Sequence, residues 1–222
     1  GGLSTKRADF RAVALPAGML AAVRARTAVD RVITAVASAG ISIPAFWLGL
    51  MLIAGFAVAL PLFPPGAMRA VEAGSFGLWR RGLDVAWHLA LPAAALGLPA
   101  AAATARFVRS TVLERLGEPF VQSARARGLS ANRVLWGHAL RAGLAPIAQL
   151  AGLSLAALLS GTVAVEVVFG WPGIGRATYD ALVARDYPLL LAGTALSATF
   201  VLAGSFLAEA LQAWLDPRLR DA

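Results

Sequence analysis

The side chains able to do chemistry in this 222-residue chain are few, and their placement argues against catalysis. There is no cysteine, so neither a disulfide framework nor a thiolate metal site can be built. The two histidines, His88 and His138, lie in separate segments, and no metal-ligand spacing joins them. The single lysine, Lys6, follows Thr5 rather than the glycine that a phosphate-binding loop requires, so the chain has no P-loop of its own. No Ser–His–Asp or paired-carboxylate set assembles either. The sequence reads as a non-enzyme with no catalytic residue, cofactor or metal in this chain. What its polar residues offer instead is docking.

The most charged ordered stretch runs from Glu118 to Pro146, EPFVQSARARGLSANRVLWGHALRAGLAP. Gly117 closes the helix before it, Glu118 places a negative charge at a new helix start, and Pro119 sits in the first turn, where its missing N–H costs nothing. That helix runs to Arg127, Gly128 ends it, and Ser130 is placed to cap the next. Phe120 and Ala124, at i and i+4, are expected to form a small apolar ridge, with Arg125 and Arg127 free to reach acidic groups or carbonyls of a partner. A stubby helix held out between two long apolar runs is a docking element.

The elements that must position this knob are membrane spans. The chain is 59% hydrophobic and only 14% charged, against roughly a quarter charged in soluble domains. Its net charge of +8 does not mark a nucleic-acid binder, because the arginines flank long uncharged runs instead of forming a polar surface patch. Uncharged runs long enough to cross a bilayer fall at about residues 34–60, 85–105, 142–165 and 188–208. Residues 12–23 are apolar but too short to cross, and on composition alone fit an interfacial helix. Ser42 and Pro44 are expected to kink the first span, either along a translocation path or simply against a packed neighbour. Residues 61–84 form a turn-rich loop, with Phe76 and Trp79 anchoring at the interface beside Arg80 and Arg81. His88, near the outer end of the next run, fits an interfacial hydrogen bonder better than a ligand. Glu209, at the inner end of the last run, requires a partner such as an arginine of a neighbouring chain.

Orientation follows from the basic residues. About twelve arginines lie in the loops at 24–31 and 106–141 and in the C-terminal tail, against five on the other side (Arg69, Arg80, Arg81, Arg176 and Arg185), which five acids balance. The positive-inside rule places the 106–141 loop and the C-terminus in the cytoplasm.

Three motifs carry a family resemblance. Ala124, Ala126, Gly128, Leu129, Ser130, His138, Leu140, Arg141 and Pro146 resemble the cytoplasmic coupling loop of binding-protein-dependent ABC importer permeases, in its dipeptide, oligopeptide and nickel branch. Residues 165–188, VEVVFGWPGIGRATYDALVARDYP, resemble that branch's E-x-x-F-x-x-P-G-x-G segment followed by R-D-Y-P, and residues 215–220, LDPRLR, resemble its C-terminus. The match covers most of the chain from about Ser42 onward. Against the general Glu-Ala-Ala pattern the fit is poorer, since those residues fall on Gln122, Ser123 and Ala124.

The resemblance implies an all-α integral membrane bundle with residues 1–30 as an N-terminal segment and partial span, and 31–222 as the permease domain, without the family's first span. It implies a second, similar permease, two cytoplasmic ATPases that bind ATP and magnesium, an extracytoplasmic binding protein, and a bacterial-type inner membrane. Coupling to the ATPases would fall on Phe120, Ala124, Arg125, Ala126, Arg127, Gly128 and Leu129. An outer gate or substrate vestibule would fall on Glu166, Phe169, Pro172, Gly173, Gly175 and Asp186. Glu166, Asp180, Arg185 and Asp186 could instead cap helices and pair with one another. Short peptides, nickel and other small solutes all remain open as cargo. A different class, an integral-membrane scaffold whose basic loop binds another protein, would be separated from a permease by whether an ATPase binds the central loop.

Overall fold

The computed structural model describes residues 16–25, 27–139, 150 and 163–215, and every regular element among them is helical. In chain order these are α1 (16–23), α2 (Ala28–Ser42), α3 (Ala45–Leu52, continued by a π-helical stretch Ile53–Ala59), α4 (Leu78–His88), α5 (Ala90–Gly117), α6 (Pro119–Ala126), α7 (Ala131–Val134, with a π turn Leu135–Ala139), α8 (Val163–Val168), α9 (Ile174–Ala184) and α10 (Tyr187–Leu215). The span expected at 142–165 lies outside the described residues except for residue 150 and residues 163–165. So do the LDPRLR tail beyond Leu215 and the end of the coupling-loop motif beyond Ala139.

Among the described residues, two helices, Ala90–Gly117 and Tyr187–Leu207, are long and apolar enough to cross a membrane, or three if α2 and α3 with its π stretch count as one broken span. The fold is that of an all-α integral membrane protein. At 1.5 Å per residue, α5 and α10 are each about 42 Å long, more than the roughly 30 Å of a hydrocarbon core. α5 therefore carries its charged end, Arg106 to Arg115, beyond the apolar layer.

The expected kink near Pro44 is sharper than a kink. α2 stops at Ser42, Pro44 has an extended conformation (φ −59°, ψ 136°), and α3 starts at Ala45 after a bend of 99°. A proline ring disfavours the helical conformation of the residue before it, so Ile43 cannot continue α2. Pro92 acts similarly on the helix expected over 85–105. It cannot donate to the His88 carbonyl, and the chain breaks into α4 and α5 around Leu89.

The chain gathers into two units. One combines residues 1–41, 100–155 and 204–222, the other 42–99 and 156–203. In the first, Ala22, Val108, Val112 and Leu135 form one buried cluster, and Val121, Ala124, Val134 and Ala139 form another. A buried ion pair joins α2 to α5, with Arg109 Nη2 donating to Asp30 Oδ2 at 2.8 Å and Arg109 Nε donating to Oδ1. Thr34 Oγ1 donates to the same carboxylate at 3.2 Å. In the second unit, Leu91, Ala95, Val165 and Phe169 form the core, with Phe63 and the α3 face packed against it.

Candidate functional site

The α6–α7 knob is built by its punctuation. Pro119 opens α6, and Glu118 precedes it in extended conformation. Glu118 does not cap with its side chain; its carboxylate pairs with Arg115 at 3.3 Å across the α5–α6 corner. At the other end Gly128 adopts φ +80°. Its N–H donates to the Arg125 carbonyl at 2.9 Å, and the Leu129 N–H reaches the Ala124 carbonyl at 3.4 Å. This pair of bonds past a left-handed residue is the Schellman motif, and Leu129 supplies its usual apolar contact by packing on Val121, Ala124, Val134 and Ala139.

Packing changes the face the knob shows. Ala124 is fully buried, so only Phe120 of the expected Phe120–Ala124 ridge is exposed. The helical repeat puts Ala124 and Val121 on the stripe that meets α7, because α7 also needs an apolar neighbour for Val134. Phe120, Ser123 and Arg127 share the adjoining exposed stripe, and Arg125 and Ala126 are exposed elsewhere on α6. Trp136, exposed just beyond α7, was missed by sequence reasoning. A large aromatic in an otherwise charged loop was the available signal.

The second candidate segment is a capped turn. α8 ends in another Schellman motif, with Gly170 at φ +59°, its N–H on the Val167 carbonyl (3.1 Å) and the Trp171 N–H on the Glu166 carbonyl (2.8 Å). Pro172 then holds the chain out of helix until α9 begins at Ile174. The Glu166 carboxylate accepts the Arg176 N–H at 2.8 Å, satisfying a free donor in the first turn of α9. It occupies the space a Cβ on Gly173 would need, and a Cβ on Gly175 would stand 3.0 Å from both Glu166 Oε2 and Val163. Phe169, 1% exposed, fills the core beside Gly49, where an added Cβ would lie 2.9 Å from the ring. Asp186 caps α10, accepting the Leu189 N–H at 3.1 Å. Asp180 lies 3.7 Å from Arg176, and Arg185 takes a left-handed conformation (φ 55°) at the end of α9. Of the two roles open to Glu166 and Asp186, capping is the one their bonds make. Glu166, Phe169, Pro172, Gly173 and Gly175, the residues expected at a gate, lie on the α8–α9 turn, with Asp186 at the far end of α9. Ser42 and Pro44 mark the α2–α3 break.

Apolar helices long enough to span, joined by short capped helices, define a class: an α-helical integral membrane protein. The chain belongs to the binding-protein-dependent transport system inner membrane components, whose family model matches residues 14–221. It is 37% identical to the oligopeptide transport system permease protein AppB of Bacillus subtilis over 93% of this chain and 64% of that protein. It is 39% identical to the di/tripeptide transport system permease protein DppB of Pseudomonas aeruginosa over 93% of this chain and 65% of the relative. Against the dipeptide transport system permease protein DppB of Escherichia coli, identity is 35% over 94% and 66%. The chain spans about two thirds of the length of these curated relatives.

Proposed function

We propose that this chain is a transmembrane permease subunit of an ATP-driven, binding-protein-dependent importer, that its cargo is short peptides, and that the α6–α7 knob couples it to cytoplasmic ATPases. The observation that carries the reading is similarity along nearly the whole chain to permeases named for oligopeptide, di/tripeptide and dipeptide transport. The knob supports it physically. A helix pinned by a proline, a Schellman turn and a buried cluster moves as one body, so a pull on Phe120 or Arg127 is passed to α5 through Leu116 and the Arg115–Glu118 pair. ATP-driven closure of two ATPases would rock the spans between outward and inward states. A second permease and an extracytoplasmic binding protein complete the assembly, and peptide is preferred over nickel because the relatives named above are peptide systems.

Two exposed substitutions test the coupling without disturbing the buried cluster, Phe120→Asp and Arg127→Glu. Both should leave membrane insertion and yield intact, while uptake of a labelled dipeptide into ATP-loaded proteoliposomes falls at least about tenfold, the scale of losing one interface anchor. Undiminished uptake by both variants would overturn the coupling role. Recovery of the wild-type chain from gently solubilised membranes without any ATPase would return the chain to the scaffold reading. Uptake of nickel in place of peptide would correct the cargo alone.

A further inference from the structure

α4 is built inside out. On the helical repeat of Leu78–His88, Trp79, Leu83, Ala86 and Trp87 fall on one side and Arg81, Asp84 and His88 on the other. In a helix covered by water the apolar side would turn inward. Here the polar side does. Asp84 and His88 expose only 11% and 9% of their side chains. Asp84 Oδ2 accepts the Ala70 N–H at 3.0 Å, and His88 Nδ1 donates to the Asp84 carbonyl at 2.9 Å. Arg81 folds back to donate to the carbonyls of Ala73 (3.1 Å) and Gly74 (2.6 Å). The apolar side faces mainly outward, with Trp79 82%, Leu83 55% and Trp87 53% exposed, while one face of Trp87 stacks on Phe63 at 4.5 Å.

We propose that the Trp79–Leu83–Trp87 face is an interfacial lipid-binding surface, and that α4 lies in the boundary layer of the bilayer. Continuity with a span favours lipid over another protein as the cover. Only Leu89 separates α4 from the membrane-crossing α5, so the C-terminal end of α4 lies at the level where the apolar layer ends. The residue types fit that level: tryptophans carry an apolar ring and a polar N–H, and arginines at the edge can reach phosphate. Arg80, at the margin of the apolar face, stands 4.2 Å over the Phe76 ring, with its charge at the polar edge of the helix. The inward polar bonds lock the helix roll, so the apolar side cannot rotate away from whatever surrounds it.

The chain has no cysteine, so a spin label on an introduced one reports a single site in this subunit. Trp79→Cys, Leu83→Cys and Glu72→Cys would each be labelled in the full permease complex, in nanodiscs of phosphatidylethanolamine and phosphatidylglycerol. Collision with oxygen, which concentrates in lipid, is compared with collision with a water-soluble nickel chelate. Oxygen should dominate at residues 79 and 83, and the chelate at Glu72, which is exposed in the preceding loop. Chelate dominance at 79 and 83 would overturn the proposal, as would protection from both probes, which would mean that protein covers the face. Because replacing Trp79 alters the surface itself, a second measurement uses brominated lipid. Its quenching of the complex's tryptophan fluorescence should fall when Trp79 and Trp87 are both changed to Phe, and unchanged quenching would also overturn the proposal.

Discussion

Arg185 and Gly128 occupy the same conformation at the ends of two helices, and only one of them suits it. A left-handed residue with a Cβ costs roughly 1–2 kcal/mol relative to glycine, so Arg185→Gly should raise stability by about 1 kcal/mol, read as a higher melting temperature in detergent. Gly128→Ala should do the reverse by a similar amount, since no neighbour lies within 4 Å of the added Cβ and the cost is purely conformational. Gly128 was legible because glycine after a run of helix formers signals a cap. Arg185 was not, since nothing in an arginine announces a positive φ. The Asp30–Arg109 pair was equally hidden, because its members lie 79 residues apart. Nothing in the chain around Asp30 points to Arg109. Arg109→Ala should cost about 2–4 kcal/mol, below the full range for a buried pair because the guanidinium is partly open, and an Asp30→Asn, Arg109→Ala double variant should recover part of it. Melting of the four proteins in the cycle checks both numbers.

Among elements, those bounded by proline and glycine were the easiest to read. α6 begins and ends within a residue of its expected limits. Pro172 and the flanking glycines keep the chain out of helix until α9 starts at Ile174. Composition could not give roll. Whether Ala124 points at solvent or at α7 depends on what α7 presents, and a four-residue helix leaves too little periodicity to reveal that. The π-helical stretch after α3 was invisible for a related reason: nothing in the sequence IAGFAVA separates a π helix from an α helix, and the wider hydrogen-bond spacing is a tertiary choice. Phe169 was legible as a motif residue and not as a plug. Truncating it to Ala should cost about 3–5 kcal/mol, the range for emptying an aromatic site in a core, and should lower the melting temperature more than Trp171→Ala, whose ring is only partly buried.

For the molecule as a whole, charge is distributed by unit. The stretches in the first unit hold 15 of the 20 lysines and arginines and seven of the 12 acids, and the second unit holds five of each. The entire net charge of +8 therefore belongs to one unit. The sequence could supply the asymmetry, since it needs only counting. It could not supply the grouping, because each unit is assembled from distant stretches of chain. If positive charge is retained in the cytoplasm, green fluorescent protein inserted after Ser130 should fluoresce, and alkaline phosphatase inserted after Gly74 should be active. Activity of the opposite reporters would reverse the orientation.

The contact between Glu166 and Gly173 has a consequence for how this chain can drift. An alanine appearing first at 173 would meet a carboxylate already in its place, and the loss of the carboxylate first would strip the opening turn of α9 of its acceptor. The carboxylate can move aside from an alanine only by leaving the Arg176 N–H, so either single step weakens the cap and the two positions are coupled. Lineages descending from this sequence should keep both residues or replace both, however freely the exposed residues of α9 vary around them.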